Sequence, residues 1–294
     1  MGAVGDLAEG VLLPGALATI MFATGLKLRP AAFFDLAVNR RPLAAGLIGL
    51  LLLSPLAGLA IAALAPTPAA IVGLIFLATC PVGILATVAT DLFRGNTALS
   101  VALTVIVSLV YVATAPFIAH TAVEVVLAET RDIQAPVDDL FVKIAAVTVL
   151  PVTGGMVAAR LFPSFRRWSG PIKAASSVVL VMVFGYVAAR QHALLADSAA
   201  IIVILVALMN LINVGIGALC GWAGGLGGAE TRALIGCHLI RQEGTAIFIA
   251  VSVLNAPDIA TPLIVNTFAG MALGAVLYLP LRARRGPLAS EARS

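Results

Sequence analysis

Charge is what this sequence has least of. Only 11% of its 294 residues are charged, against about 25% in a soluble globular protein. That shortage excludes a soluble fold, and 61% hydrophobic residues with a mean hydropathy of +1.09 point the same way. Cysteine is scarce. Cys80, Cys220 and Cys237 lie inside or at the edge of apolar runs, without metal-ligand spacing or a disulfide pattern, and read as small buried apolar residues. The chain has no HExxH zinc motif, no G-x-S-x-G elbow and no nucleotide-binding loop. Those absences count against hydrolysis and against ATP-driven transport by this chain alone. Met1–Glu9 lacks a positive n-region and carries Asp6 and Glu9, so it does not read as a signal peptide.

What is present is a series of apolar runs of about 20 residues, the length that crosses a bilayer core. They predict an all-α polytopic membrane protein with nine transmembrane helices, near 9–27, 42–65, 67–90, 97–121, 138–160, 171–189, 197–221, 231–254 and 259–280. The expected domain is one transmembrane unit over 1–285, followed by a short tail, 286–294. Connections alternate in charge. One set carries Lys27, Arg29, Arg40, Arg41, Arg94, Arg160, Arg166, Arg167, Lys173, Arg232, Arg282, Arg284, Arg285 and Arg293. The other carries Glu124, Glu129, Asp132, Asp138, Asp139, Asp197 and Asp258. The positive-inside rule places the basic set in the cytoplasm, with the N-terminus outside and the C-terminus inside. This orientation explains the basic face without a nucleic-acid partner. Segment 29–40 reads as an interfacial amphipathic piece, Trp168 as an interfacial anchor, and Lys143 as a snorkelling lysine.

Two expected spans differ from the rest. The eighth holds His238, Arg241, Gln242 and Glu243 within six residues, followed by Gly244. Ionisable groups at bilayer depth are costly and mark function. The third, TCPVGILATVAT, holds Pro81 and Gly83. Both spans are expected to break, at Pro81, Gly83 and Gly244. They lie five spans apart and so enter from opposite sides, as in an inverted repeat with spans 1–4 matching 6–9. Paired broken helices point to a transporter's binding site. Asn210, Asn213 and Asn266 either face that cavity or bond between helices. His120 and His192 lie near outer ends of spans.

The run CPVGILATVATDLFRGNTALSVALT (80–104) resembles the bile acid:sodium symporter family, whose members carry CPGGxxSNxxTxLARGNxALSVAxT. MFATGLKLRPAAF (21–33) is similar to the family's MFxMGLTLxPxDF. The eighth span aligns more loosely with EVGMQNSGLA. The chain looks like a divergent bacterial-type member that begins at the family's second span. The resemblance implies panel and core domains, with the broken spans three and eight crossing in the core. It also implies the bacterial inner (plasma) membrane, and transport of a small organic anion, a carboxylate, by alternating access with sodium ions.

Carried over by position, the family's sodium ligands are only partly present. Its Ser-Asn pair is Ala86-Thr87, while the ligands on the next helix are kept as Ser100 and Thr104. The shared Glu is His238, the Gln is kept as Gln242, and the flanking Met and Asn have become Arg241 and Glu243. Sodium prefers hard oxygen ligands, by extension from calcium and magnesium. A cation beside Arg241 would meet about 4 kcal/mol of repulsion at 4 Å and an effective dielectric of 20.

Several readings stay open. Glu243 replaces the lost carboxylate, giving a sodium site at Ser100, Thr104, Gln242 and Glu243. Or Arg241 stands in for sodium, with a proton carried by His238 or Glu243. Or Arg241 binds a substrate carboxylate. Or an Arg–Glu pair simply orders the core. The coupling ion is therefore sodium or a proton, and no other cofactor is expected. The chain is expected to be a carrier and not an enzyme. The alternatives are a membrane-embedded enzyme using His238 and Glu243 as an acid–base pair, or a non-transporting channel or sensor on the same fold.

Overall fold

Proline shapes the first two helices. A π turn, Ala8–Leu12, opens helix α1 (Leu13–Gly25), directly ahead of Pro14. A second π turn, Gly49–Leu53, lies inside α2 (Arg40–Ala62), ahead of Pro55. A proline has no N–H to donate and its ring crowds the carbonyl four residues earlier. The backbone widens there by one residue and the helix continues.

The computed structural model describes residues 7–26, 40–83, 85–127, 137–190 and 192–283. The remaining helices are α3 (Pro68–Thr79), α4 (Leu85–Leu92), α5 (Thr97–Leu127), α6 (Asp138–Leu161) and α7 (Ser169–Arg190). They continue with α8 (His192–Ala223), α9 (Gly228–Leu239), α10 (Gly244–Phe248) and α11 (Thr261–Ala283). Among the described residues, one isolated bridge is the only β pairing. The expected interfacial segment 29–40, apart from Arg40, and the tail 286–294 lie outside the described residues.

Among the described residues, six segments are long and apolar enough to cross a membrane: Arg40–Ala62, Thr97–Leu127, Asp138–Leu161, Pro163–Tyr186, Ala200–Ala223 and Pro257–Tyr278. The other three expected spans contain shorter helices. The first is α1, and the third and eighth are interrupted. Outward-facing side chains such as Val125, Leu150 and Trp222 are more than half exposed. Lines of such residues suit lipid and not water.

Helix α1 packs against α6 and α7. Gly25 and Gly155 make the first contact close: a Cβ on Gly25 would overlap the Val152 carbonyl oxygen, and one on Gly155 the Phe22 carbonyl oxygen. Small residues permit this approach where lipid supplies no hydrophobic drive. In the rest of the molecule α8 packs on α9 and α11, and α3 packs on α2, α5 and α11.

The run Arg94-Gly95-Asn96 is a corner between α4 and α5. Arg94 adopts a positive φ of 55°. Gly95 donates to the Thr90 carbonyl at 2.7 Å, and Asn96 Oδ1 accepts from the Leu99 N–H at 3.0 Å as an N-cap. Arg232 of α9 donates to the Arg94 carbonyl through Nη2 at 2.9 Å, fixing the corner against the next layer. Trp168 closes the 3-10 turn Pro163–Trp168 and lies half exposed beneath the Arg167 guanidinium.

Candidate functional site where two broken helices meet

Helix α3 stops at Thr79, and Cys80 turns to extended backbone ahead of Pro81. The residue before a proline is pushed out of the helical region. Helix α9 stops at Leu239, and Ile240 is extended. The two breaks pair with each other. Val82 and Arg241 form an antiparallel bridge. Gly83 donates its N–H to the Ile240 carbonyl at 2.8 Å, and Gln242 donates to the Pro81 carbonyl at 2.9 Å. Within a bilayer an unpaired backbone group costs several kcal/mol, about what these bonds avoid. Gly83 sits at the closest approach, where a Cβ would lie 2.7 Å from the Arg241 carbonyl oxygen. Gly244 starts the resumed helix, so the second break is Ile240–Glu243, just before the glycine expected to mark it.

Extended backbone sends successive side chains to opposite sides. Gln242 lines a cavity of about 230 Å³ with Met21, Thr24, Thr104, Ser108 and Thr148, among α1, α5 and α6. Arg241 and Glu243 line a separate cavity of about 70 Å³, beside Asn266 and Thr267 of α11.

Arg241 is 5% exposed, and its Nη2 donates to the Ala78 carbonyl at 2.7 Å. Ala78 lies in the last turn of α3, where carbonyls lack helical partners and carry the negative end of the helix dipole. The guanidinium caps that end, while its Nε and Nη1 meet no acceptor. Glu243, 8% exposed, turns to α11 and not to Arg241: Asn266 Nδ2 donates to its Oε1. Asn266 Oδ1 accepts in turn from Asn210 Nδ2 of α8 at 2.7 Å. Ser54 of α2 donates to Asn213 Oδ1 at 2.6 Å. All three asparagines therefore bond between helices, and Asn266 also borders the small cavity.

His238 is fully buried. Its Nδ1 lies 2.8 Å from the Leu234 carbonyl, so it carries the proton and donates. Its Nε2 rests on Gly49, in the π turn of α2. His238 thus fills the seam between α9 and α2 and borders neither cavity. Thr87 and Ser100 bring their hydroxyls to 3.5 Å, and Cys237 Sγ donates to Ser100 Oγ at 3.4 Å. Thr104 donates to the Ser100 carbonyl at 2.8 Å. The four residues expected to share a sodium ion, Ser100, Thr104, Gln242 and Glu243, thus fall into three environments. Among the described residues no cluster of three or more His, Cys, Asp or Glu is placed to hold a metal ion.

Two relationships were missed in the sequence: the Ala78 carbonyl as partner of Arg241, and Asn266 as partner of Glu243. An asparagine in an apolar helix was the only signal available for the second, and a main-chain oxygen gives none.

A sequence profile of the Sodium Bile acid symporter family matches residues 14–199, more than half of the chain. The chain belongs to this family. It is an integral membrane protein, with six helices of spanning length among the described residues. An uncharacterized sodium-dependent transporter of Bacillus subtilis (strain 168), YocS, is 33% identical over 173 residues, 58% of this chain and 50% of that protein. The chain spans about half the length of this curated relative. The family match includes Pro81, Gly83, Thr87, Ser100 and Thr104, and it ends before His238, Arg241, Gln242 and Glu243.

Proposed function

We propose that this protein is a secondary transporter that carries a small organic anion by alternating access, with Arg241 as a fixed cation at the crossing of its two broken helices. One observation carries the reading: the Arg241 guanidinium is buried and donates to the freed carbonyl of Ala78 at the end of α3. A carbonyl at a helix break is a hard oxygen of the kind a sodium ion prefers, by extension from calcium and magnesium. Arg remains protonated, so it supplies that charge permanently.

The sodium donor set is incomplete. Ala86 offers no side-chain oxygen, the shared carboxylate position is His238, and Glu243 is engaged by Asn266. Sodium dependence belongs to the name of the Bacillus relative; here the guanidinium takes its place, and transport is sodium-independent.

The cavity of about 230 Å³ is the substrate site in this reading. It is mostly apolar. Thr24, Thr104 and Thr148 donate their hydroxyl hydrogens to their own helices, leaving only acceptor capacity facing a guest. The donors left for a carboxylate are the Ser108 hydroxyl and the Gln242 carboxamide, whose nearest partner is Met21 Sδ at 3.9 Å. The cavity lies where α1 and α6 face α5, between the group α1, α6 and α7 and the remaining helices. We assign the first group as a panel, the rest as a core, and the two breaks as matching elements of an inverted repeat in a nine-span molecule. The N-terminus then lies outside and the C-terminus in the cytoplasm.

The test is uptake of a panel of labelled monocarboxylates into proteoliposomes. At least one should show saturable uptake, with KM raised about tenfold or more in Gln242→Ala, the loss of about 1.4 kcal/mol of binding. Absence of saturable uptake across the panel would overturn the reading.

A further inference from the structure

The corner between α6 and α7 holds polar groups that the crossing does not use. Helix α6 ends at Leu161 with Arg160 in its last turn, and the 3-10 turn Pro163–Trp168 leads into α7. Two side-chain atoms at this corner are covered yet meet no hydrogen-bond partner: Nε of Arg166 and Oγ of Ser169. Ser169 is fully buried. Its N–H bonds the Arg166 carbonyl, the three-residue step of a 3-10 turn, and side chains three apart on such a turn lie over one another. The two unpartnered groups therefore share one side of the corner. Arg167 stands beside them, its guanidinium carbon 5.8 Å from the centre of the Trp168 ring. No aspartate or glutamate occurs between residues 140 and 190. Neither α7 nor α6 beyond its first turn brings a carboxylate to these arginines.

The apolar surroundings decide what kind of partner fits. Leu150, Val157 and Leu161 recur at helical spacing on α6, and all are more than half exposed. They form one lipid-facing stripe. The stripe runs into Phe162, whose ring centre lies 5.5 Å from that of Phe165, and both rings are exposed. Exposed aromatic rings at the end of a spanning helix sit at the level of the lipid headgroups. The guanidinium fork matches phosphate oxygens. A soluble acidic protein or a nucleic acid would meet the arginines and leave the rings and the stripe unmatched.

We infer that this corner binds one anionic phospholipid, its phosphate held by Arg166, Arg167 and Ser169 and an acyl chain laid along Leu161, Val157 and Leu150. Phosphate oxygens only accept, so Arg166 Nε and the Ser169 hydroxyl each gain the acceptor they lack. Arginines near the membrane surface attract anionic headgroups. Two of them on one turn favour a lipid with net negative charge over one whose phosphate is offset by its own choline. Both α6 and α7 pack on α1, so the bound lipid would brace that group of three helices from outside. The corner borders neither cavity, and the inference does not depend on the transport function proposed above.

Trp168 reports on the site, because the chain has two tryptophans and Trp222→Phe removes the other. The Trp222→Phe protein would be reconstituted in vesicles in which a rising fraction of either phosphatidylglycerol or phosphatidylcholine carries chains brominated near the headgroup, which quench a neighbouring indole. At equal fraction, phosphatidylglycerol should quench Trp168 severalfold more effectively. Arg166→Gln with Arg167→Gln should bring the two lipids level. Ser169→Ala keeps every charge and should lower the preference in part, which serves as the test if the double variant does not fold. Arg40→Gln, at an exposed basic residue elsewhere, should leave the preference unchanged. Equal quenching by the two lipids in folded protein overturns the inference. So does an equal loss in Arg40→Gln, which would show a diffuse surface charge and no site. A Trp168 that neither lipid quenches would show that another part of the protein covers the corner, and overturns it too. A preference removed by inorganic phosphate, but not by chloride at the same ionic strength, would mark a site for free phosphate and contradict the lipid.

Discussion

The Arg241 guanidinium donates to the main-chain oxygen of Ala78 at 2.7 Å, so a fixed charge on one broken helix caps the end of the other. The breaks are also joined by the main-chain bonds Gly83 to Ile240 and Gln242 to Pro81. The crossing is one polar unit held by backbone pairing and one side chain.

Arg241→Met should therefore lower stability by about 1.5–3 kcal/mol, the range for a hydrogen bond to a charged group. Arg241→Lys should retain part of it, because a single ammonium can still reach one carbonyl. Adding His238→Glu to Arg241→Met restores a carboxylate and removes the competing cation. That double variant should acquire a sodium-specific rise in Tm, measured against matched potassium. A folded double variant indifferent to sodium would count against Arg241 as a cation substitute.

Gly83 and Gly185 form a contrast. A Cβ at position 83 would press on the Arg241 carbonyl, whereas one at Gly185 of α7 meets nothing within 4 Å. Gly83→Ala should cost about 1–3 kcal/mol by forcing the breaks apart. Gly185→Ala should be neutral or stabilising by up to about 1 kcal/mol. Thermal unfolding of both variants checks this, and equal effects would show that the close approach at Gly83 does not matter.

Accessibility tests the larger cavity. Cys80 and Cys237 are fully buried and should resist a small polar thiol reagent. A cysteine introduced in place of Thr104, which lines the cavity, should label readily on a cysteine-free background and be shielded by a transported carboxylate. A cysteine in place of Ala102, buried on the same helix, should not. Equal labelling at both positions would contradict the cavity's placement.

The breaks were legible in the sequence because their causes are local. Pro81 cannot continue α3, and a run of His, Arg, Gln and Glu has no place in a lipid-facing helix. The expected break at Gly244 was displaced, because the glycine opens the resumed helix and the extended residues precede it. The spans at 67–90 and 231–254 were legible as apolar runs, which do not reveal where hydrogen bonding stops. Partners across the interior were not legible. Arg241 bonds a main-chain oxygen, which no residue type announces, and Glu243 bonds Asn266 of α11 and not the nearer-in-sequence Arg241, a pairing set by how the helices pack. His238, expected as a ligand or proton carrier, is placed instead by a π turn whose cause is Pro55 in another helix. The run Arg94-Gly95-Asn96, part of the 80–104 stretch that resembles the family, is a capped corner between helices.

The most direct test of the account is counterflow. Proteoliposomes preloaded with an unlabelled monocarboxylate accept the same labelled anion from outside, with sodium replaced by potassium on both sides. A carrier whose cation is Arg241 should give saturable exchange at the same rate in either salt, and Arg241→Met should abolish it. Exchange that requires sodium in the wild-type protein, or flux that rises without saturation, would contradict it.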